Sequence, residues 1–167
     1  WLMCVTFDAL KEPEAPFPEP RCIARGVMMS KPLVLDNGTW LFPSAHWSDD
    51  PSSCFYASKD CGETFELIGG VSLPPKVRSY DEHVIAQLNN GDLLTFIRTV
   101  RGPKCTESIS HDCGKTWEPA RPARFNHTDS RLFLTRLTRG NLLLVKHGGI
   151  NEDCGRRNLT AFISRDD

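Results

Sequence analysis

An eight-residue turn pattern occurs twice in this chain and begins a third time, at nearly constant spacing. The first copy, from Ser58 to Phe65, reads SKDCGETF, and the second, from Ser110 to Trp117, reads SHDCGKTW. A third copy begins at Ser164, and the three serines are 52 and 54 residues apart. A period of about 50 residues restricts the fold strongly, because each repeat must be one supersecondary unit that packs against the next.

A second signal precedes each copy of the turn. Three glycine turns, at Gly38, Gly91 and Gly140, are flanked by short apolar runs and are 53 and 49 residues apart. Such runs separated by Gly, Asn, Asp and Pro are typical of β-strands. Four antiparallel strands per about 50 residues is the period of a propeller blade. A β-sandwich does not require this strict period, so the sequence predicts an all-β β-propeller with four-stranded antiparallel blades.

The residue types in the repeated turn have structural explanations. The Asp side chain can accept hydrogen bonds from nearby backbone N–H groups, and Gly supplies a positive φ. The aromatic residue that ends the pattern can pack against the neighbouring sheet. We therefore predict structural roles for ten residues of the two complete copies: Ser58, Asp60, Gly62, Thr64, Phe65, Ser110, Asp112, Gly114, Thr116 and Trp117.

The composition excludes several classes of function. The 167 residues are 25% charged and 40% hydrophobic, as in ordinary globular proteins. Lys and Arg total 20 against 21 acidic residues, which argues against a nucleic-acid partner. No run of about 18 apolar residues occurs, so no membrane span is predicted. The first residues lack the basic and apolar regions of a signal peptide, and the sequence assigns no compartment.

The cysteines do not indicate a disulfide framework. Their number is seven, an odd count: Cys4, Cys22, Cys54, Cys61, Cys105, Cys113 and Cys154. Cys54 and Cys61, like Cys105 and Cys113, are separated by a predicted strand with a length of roughly 23 Å. A disulfide needs Cα atoms within about 7 Å, so we predict that neither pair is bonded. There is no Cys-x-x-Cys motif either, and we expect no metal and no cofactor.

The order of strands separates the two ends of a blade. With strands labelled a to d, the glycine hairpin and the Asp turn lie at one end. The start of a, the end of b and the start of c lie at the other end, which we call the rim. A three-residue hairpin loop pairs Leu88 with Asp92 and puts Glu82 directly opposite Arg98 on the rim. A two-residue loop would move this pairing by one residue. From spacing alone, an exposed ion pair worth well under ~1 kcal/mol and a functional pair are equally supported.

The repeated turn resembles the Asp-box (BNR) repeat of the sialidase superfamily over the range Met29 to Asp167. The resemblance implies a propeller of six blades and exo-sialidase activity on a terminal sialic acid or related acidic sugar. It also implies that the Asp boxes are structural and remote from the active site. We expect residues 1–167 to form part of such a domain, about three blades with repeats near 26–78, 79–128 and 129–167. We expect this part alone to be inactive.

The resemblance also implies roles for three rim residues. Sialidases carry a Glu at the start of one strand and an Arg at the end of the next, as do Glu82 and Arg98 here. Gly155–Thr160 is similar to an Arg-x-Asn-Leu-Thr stretch of the family, and the match favours Arg156 over Arg157. Glu82 would then be the base for a Tyr nucleophile, the variation on glycoside hydrolysis that sialidases use. Arg98 and Arg156 would grip the substrate carboxylate. The Tyr, an acid/base Asp and another arginine are expected outside this sequence.

Three further residues are candidates for substrate contact. His83 follows Glu82 at a position where sialidases usually have a small residue. Arg131 and His147 lie 49 residues after Glu82 and Arg98, the offset between the second and third glycine turns, so they should occupy equivalent positions. The plainer interpretation is that both are solvated surface residues. Tyr80 is interpreted as a packing residue before strand a.

These departures from the family pattern leave three functions open. They are a sialidase, another carbohydrate-active enzyme on the same fold, and a non-catalytic Asp-box propeller that binds glycan or protein. The expected partner is a glycan or glycoconjugate, and the resemblance slightly favours a secreted or periplasmic location. The sequence does not predict the oligomeric state.

Overall fold

The computed structural model describes residues 19–167, and within that range every regular element is a β-strand. Eleven strands form three antiparallel sheets. The first sheet contains β1 (Leu33–Val34), β2 (Trp40–Ala45), β3 (Ser53–Ser58) and β4 (Glu66–Val71). The second contains β5 (Arg78–Gln87), β6 (Leu93–Thr99), β7 (Cys105–Ser110) and β8 (Arg121–Pro122). The third contains β9 (Phe133–Arg136), β10 (Leu142–His147) and β11 (Leu159–Ser164).

Each sheet follows the chain order, with neighbouring strands joined by a hairpin or a longer loop. The order is β1-β2-β3-β4 in the first sheet and β5-β6-β7-β8 in the second, and β10 is the central strand of the third. This up-and-down order is that of propeller blades. The predicted all-β fold of four-stranded antiparallel blades is confirmed.

Two clusters of apolar side chains hold the sheets together, one on each face of the second sheet. Alternate residues of β5 and β6, such as Ile85 and Ile97, pack with Phe55 of the first sheet. The residues between them, such as Val84, pack with Leu134 of the third sheet. Side chains alternate between the two faces of a strand, so both faces of the second sheet are apolar.

The Asp turns are closed by their own carboxylates. Asp112 accepts hydrogen bonds from the Thr116 hydroxyl (2.6 Å) and amide (2.8 Å) and from the Ser110 hydroxyl (2.9 Å). Gly114 has a φ of 91°, and its amide donates to Ser110 Oγ (2.9 Å). The first turn repeats these contacts with Ser58, Asp60, Gly62 and Thr64. The bonds from Thr116 contribute most to lowering the pKa of Asp112 to about 2.

The aromatic residues that end the Asp turns pack against the sheets. Trp117 stacks on Phe55 with ring centroids 4.5 Å apart, and its indole N–H donates to the Gly114 carbonyl (3.0 Å). Phe65 meets Phe42 edge to face at 4.9 Å. Trp117 thereby fills space between the first and second sheets.

The hairpin between β5 and β6 has the predicted register over most of its length. The Leu88 amide donates to the Asp92 carbonyl (2.8 Å), and His83 pairs with Ile97. Beyond that pair the register shifts, and Arg78 pairs with Thr99. Glu82 lies in this irregular part of β5, so the predicted direct backbone pairing of Glu82 with Arg98 is wrong.

The thiols of the described cysteines are free: Cys22, Cys54, Cys61, Cys105, Cys113 and Cys154. Cys4 lies outside the described residues. Burial raises the pKa of the Cys54 thiol to about 11. Across residues 19–167 no helix has the length and apolarity to cross a membrane. The same residues contain no group of three or more His, Cys, Asp and Glu side chains that could hold a metal ion.

Candidate functional site

A buried ion pair joins Glu82 to Arg98 on the rim of the second sheet. Arg98 Nη1 donates to Glu82 Oε2 over 2.8 Å. The Arg98 side chain is only 7% exposed and the Glu82 side chain 9%, because Ser30, Arg131 and neighbouring apolar groups surround them. The interpretation as an exposed surface pair is therefore wrong. The irregular backbone of β5 still brings the two side chains together.

Asp129 is a second carboxylate partner of Arg98. It lies in the connection from β8 to β9, and its Oδ1 accepts from Arg98 Nε over 2.8 Å. Its side chain is 36% exposed, so it forms the solvent side of the cluster. Asp129 was missed at the level of sequence, although an acidic residue just before strand a of a repeat is expected on the rim.

Arg156 is connected to the same cluster through the backbone of Asp129. Its Nη2 and Nε atoms lie 3.2 and 3.4 Å from the Asp129 carbonyl oxygen and donate to it. Arg157 turns away and donates from Nε to the Cys154 carbonyl (3.1 Å). Of the two arginines, Arg156 is the one that the structure brings close to Arg98, and its side chain is exposed.

Two carboxylates contact the Arg98 guanidinium directly, and the cations Arg131 and Arg156 lie next to them. Burial acts to lower the pKa of Arg98, but the hydrogen bonds to Glu82 and Asp129 outweigh it and raise the pKa. One guanidinium thus faces two carboxylates. Within the described residues, the side-chain hydrogen bonds of Arg98 use its Nε and Nη1 atoms.

Tyr80 contributes an aromatic surface next to Arg98. The Arg98 guanidinium carbon lies 5.0 Å from the centroid of the Tyr80 ring, within cation–π distance. Tyr80 lies inside β5, so its predicted position before the strand is wrong. Its side chain is more than half exposed, which makes it a surface residue of the site.

The assignment of His83 to substrate contact is wrong. Its side chain is 2% exposed, its Nε2 lies 3.0 Å from the Cys54 carbonyl oxygen, and its ring meets Phe55 edge to face at 4.9 Å. Neighbouring residues of a strand face opposite sides. His83 therefore points toward the first sheet while Glu82 faces the third.

Arg131 and His147 lie in different surroundings. Arg131 lines the narrow crevice that contains Glu82 and Arg98, and its Nη1 donates to the Met29 carbonyl (3.3 Å). His147 Nδ1 lies 3.2 Å from the Arg157 carbonyl oxygen. Within the described residues no contact joins His147 to the Glu82–Arg98 pair. Arg131 therefore borders the Glu82–Arg98 pair, whereas the described side-chain contact of His147 is with the loop before β11.

Comparisons with known proteins give the same fold. The family model described as the BNR repeat-like domain matches residues 6–167. A leech intramolecular trans-sialidase complexed with 2,7-anhydro-Neu5Ac is 22% identical, with a TM-score of 0.61 over 81% of this chain and 20% of its own. The NanB sialidase from Streptococcus pneumoniae is 21% identical, with a TM-score of 0.64 over 79% of this chain and 20% of its own.

A protein of unknown function from Dyadobacter fermentans is also 21% identical, with a TM-score of 0.62 over 83% of this chain and 42% of its own. This chain therefore spans less than half the length of each of these relatives. Among curated proteins, none matches the sequence significantly. At these identities the solved structures establish the fold, a sialidase-like β-propeller.

Proposed function

Because this chain belongs to the BNR repeat-like domain family, we propose that it supplies part of the substrate site of a glycoside hydrolase. The proposed substrate is a glycan that ends in a sugar with a carboxylate, such as a sialic acid. One observation carries the proposal: the buried Glu82–Arg98 pair and Arg156 meet around Asp129 on one rim.

The chemistry assigns a different task to each group. A guanidinium binds a carboxylate through two parallel hydrogen bonds in a fixed orientation, which suits the exposed Arg156 as a clamp. Arg98 holds Glu82 and Asp129 through Nη1 and Nε, and it would contribute a hydrogen bond from Nη2. When the glycosidic bond breaks, positive charge develops at the anomeric carbon. Glu82 would accept the proton of a phenol nucleophile supplied from outside these residues, because an unassisted phenol keeps its proton at neutral pH.

A second candidate is a glycosidase that acts on a neutral sugar. Asp129 favours it, because this carboxylate already occupies Arg98 Nε and would repel an incoming acidic sugar. A hydroxyl group, by contrast, could donate to Asp129 and accept from Arg98.

The test is Glu82→Gln in the natural protein that carries this chain. The assay follows release of a chromogenic aglycone from an aryl sialoside and, in parallel, from neutral aryl glycosides. Loss of a general base lowers kcat by about 10²–10⁴-fold. Glu66→Gln is the matched control, since Glu66 forms an exposed ion pair with Lys59 on the outer side of the first sheet. Equal turnover by wild type and Glu82→Gln would refute the role of Glu82, whereas activity confined to neutral glycosides would favour the second candidate.

A further inference from the structure

Two exposed aromatic side chains form a pair on the rim. The rings of Trp47 and Tyr80 meet edge to face with centroids 6.1 Å apart. The residues are 50% and 54% exposed, respectively, although both side chains are large and apolar. Neither belongs to the two apolar clusters that hold the sheets together. An exposed apolar patch of this kind is typical of a binding site.

The pair is held in place by hydrogen bonds that connect two sheets. Trp47 lies in the loop between β2 and β3, and its indole N–H donates to the Tyr80 carbonyl of β5. Arg78 Nη2 donates to the Trp47 carbonyl over 2.6 Å. These bonds hold the loop against β5, and half of the Trp47 surface stays exposed. A preformed aromatic surface loses little conformational entropy when a ligand binds.

The aromatic pair is continuous with the charged site. Tyr80 contacts both Trp47 and Arg98, with ring centroids 6.1 Å apart and the guanidinium carbon 5.0 Å from its ring centroid. The order along the rim is therefore Trp47, Tyr80, Arg98, and then the two carboxylates. A ligand held at Arg98 and longer than one sugar ring would reach the aromatic pair.

The size of the patch limits what can bind to it. Two aromatic side chains offer at most about 500 Å² together. A stable protein interface buries more than about 1,000 Å², so the pair alone is too small to dock a protein. A pyranose ring is a better match, because its C–H face packs on an aromatic ring while its hydroxyl groups stay in contact with water and polar groups.

We propose that Trp47 and Tyr80 form a subsite for the neutral sugar that is linked to the sugar bound at Arg98. This subsite rests on the proposed function, because it places the leaving-group part of the glycan. It would give the protein a preference for oligosaccharides over simple glycosides. Trp47 does not touch the reacting atoms in this arrangement, so it determines specificity rather than catalysis.

The experiment compares Trp47→Ala and Trp47→Phe with Leu67→Ala in the natural protein. Leu67 is an equally exposed apolar residue of β4, near the Asp turn at the other end of the blade. Hydrolysis of 3′-sialyllactose is compared with hydrolysis of methyl sialoside, which lacks the second sugar. We expect Trp47→Ala to raise KM for sialyllactose about ten-fold, which matches 1.4 kcal/mol and the upper range for an aromatic contact. KM for methyl sialoside should change less than two-fold, and Trp47→Phe should restore most of the difference.

A second measurement does not depend on catalysis. Binding of lactose, a neutral disaccharide, is followed by ligand-detected NMR, because replacing Trp47 would itself remove the fluorescent group at the subsite. Lactose binding that disappears in Trp47→Ala and persists in Leu67→Ala supports the subsite, even if wild type cleaves no sialoside and the proposed function fails. If wild type cleaves both sialosides and Trp47→Ala changes both KM values equally or not at all, the subsite is wrong and the proposed function stands. Lactose binding that is absent or independent of Trp47, in a protein without sialidase activity, refutes both.

Discussion

Replacing Arg98 with Met would leave the Glu82 carboxylate buried without its cation. Both side chains are less than one-tenth exposed, and the ion pair is 2.8 Å long. Removing one partner of a buried pair costs about 3–5 kcal/mol, mostly because the remaining charge is poorly solvated. Glu82 keeps some contact with water, so we expect Arg98→Met to lower the free energy of unfolding by about 3 kcal/mol.

The two carboxylates around Arg98 should contribute very differently to this loss. Asp129 is 36% exposed and can be hydrated without its partner, so its unpaired charge costs at most about 1 kcal/mol. The penalty therefore belongs mainly to Glu82. In the double variant Glu82→Gln/Arg98→Met the buried charge is gone, and we expect it to recover about 2 kcal/mol relative to Arg98→Met alone.

The measurement is urea unfolding of wild type, the two single variants and the double variant at pH 7. Tryptophan fluorescence reports the transition, and equal m-values would show that the comparison is between similar states. Two results would refute the reasoning. One is an Arg98→Met variant whose free energy of unfolding lies within about 1 kcal/mol of wild type, as expected for an exposed ion pair. The other is a double variant whose loss of stability equals the sum of the two single losses.

Two further predictions follow from the carboxylates. Asp129→Asn removes the negative charge next to Arg98 and should lower KM for an aryl sialoside about three- to ten-fold. The decrease in KM should be smaller at high salt. An increased KM would mean that Asp129 helps to bind the substrate. The pKa of Asp112 is about 2 in the fold against an ordinary value of 3.8, so its contribution to stability is complete above pH 4 and is lost as the pH falls toward 2. Asp112→Ala should therefore flatten the fall in urea midpoint over this range, and parallel curves for variant and wild type would contradict this origin.

The Asp turns could be predicted from sequence because their interactions are local. Every bond that Asp112 accepts comes from a residue within four positions of it, so the turn pattern itself contains the structure. The β5–β6 register was predictable for a similar reason, since the loop at Gly91 determines it from the turn outward. The prediction failed at Glu82 because the register shifts beyond His83, and nothing in the turn sequence indicates this shift.

The candidate site was less accessible to sequence reasoning. Asp129 lies just before strand a of its repeat, which predicts a position on the rim, but its contact with Arg98 joins residues 31 positions apart and no local spacing indicates it. His83 was predictable in principle, because a residue next to Glu82 in a strand must face the other side of the sheet. Contact of Arg156 with Asp129 joins two loops next to the third sheet that are 27 residues apart, which no local pattern encodes.

The two ends of each blade carry different constraints, and this difference locates the site. At the Asp-turn end, Asp60 and Asp112 must keep the same side chain, because each blade closes its turn with the same hydrogen bonds. At the rim, the position seven residues after each turn glycine is Ala45, Arg98 or His147. The fold does not require the same side chain at these three positions, because none of them closes a turn. A residue that departs from the repeat on the rim is therefore free to serve the ligand, and the charge and burial of Arg98 make it the first such residue to test.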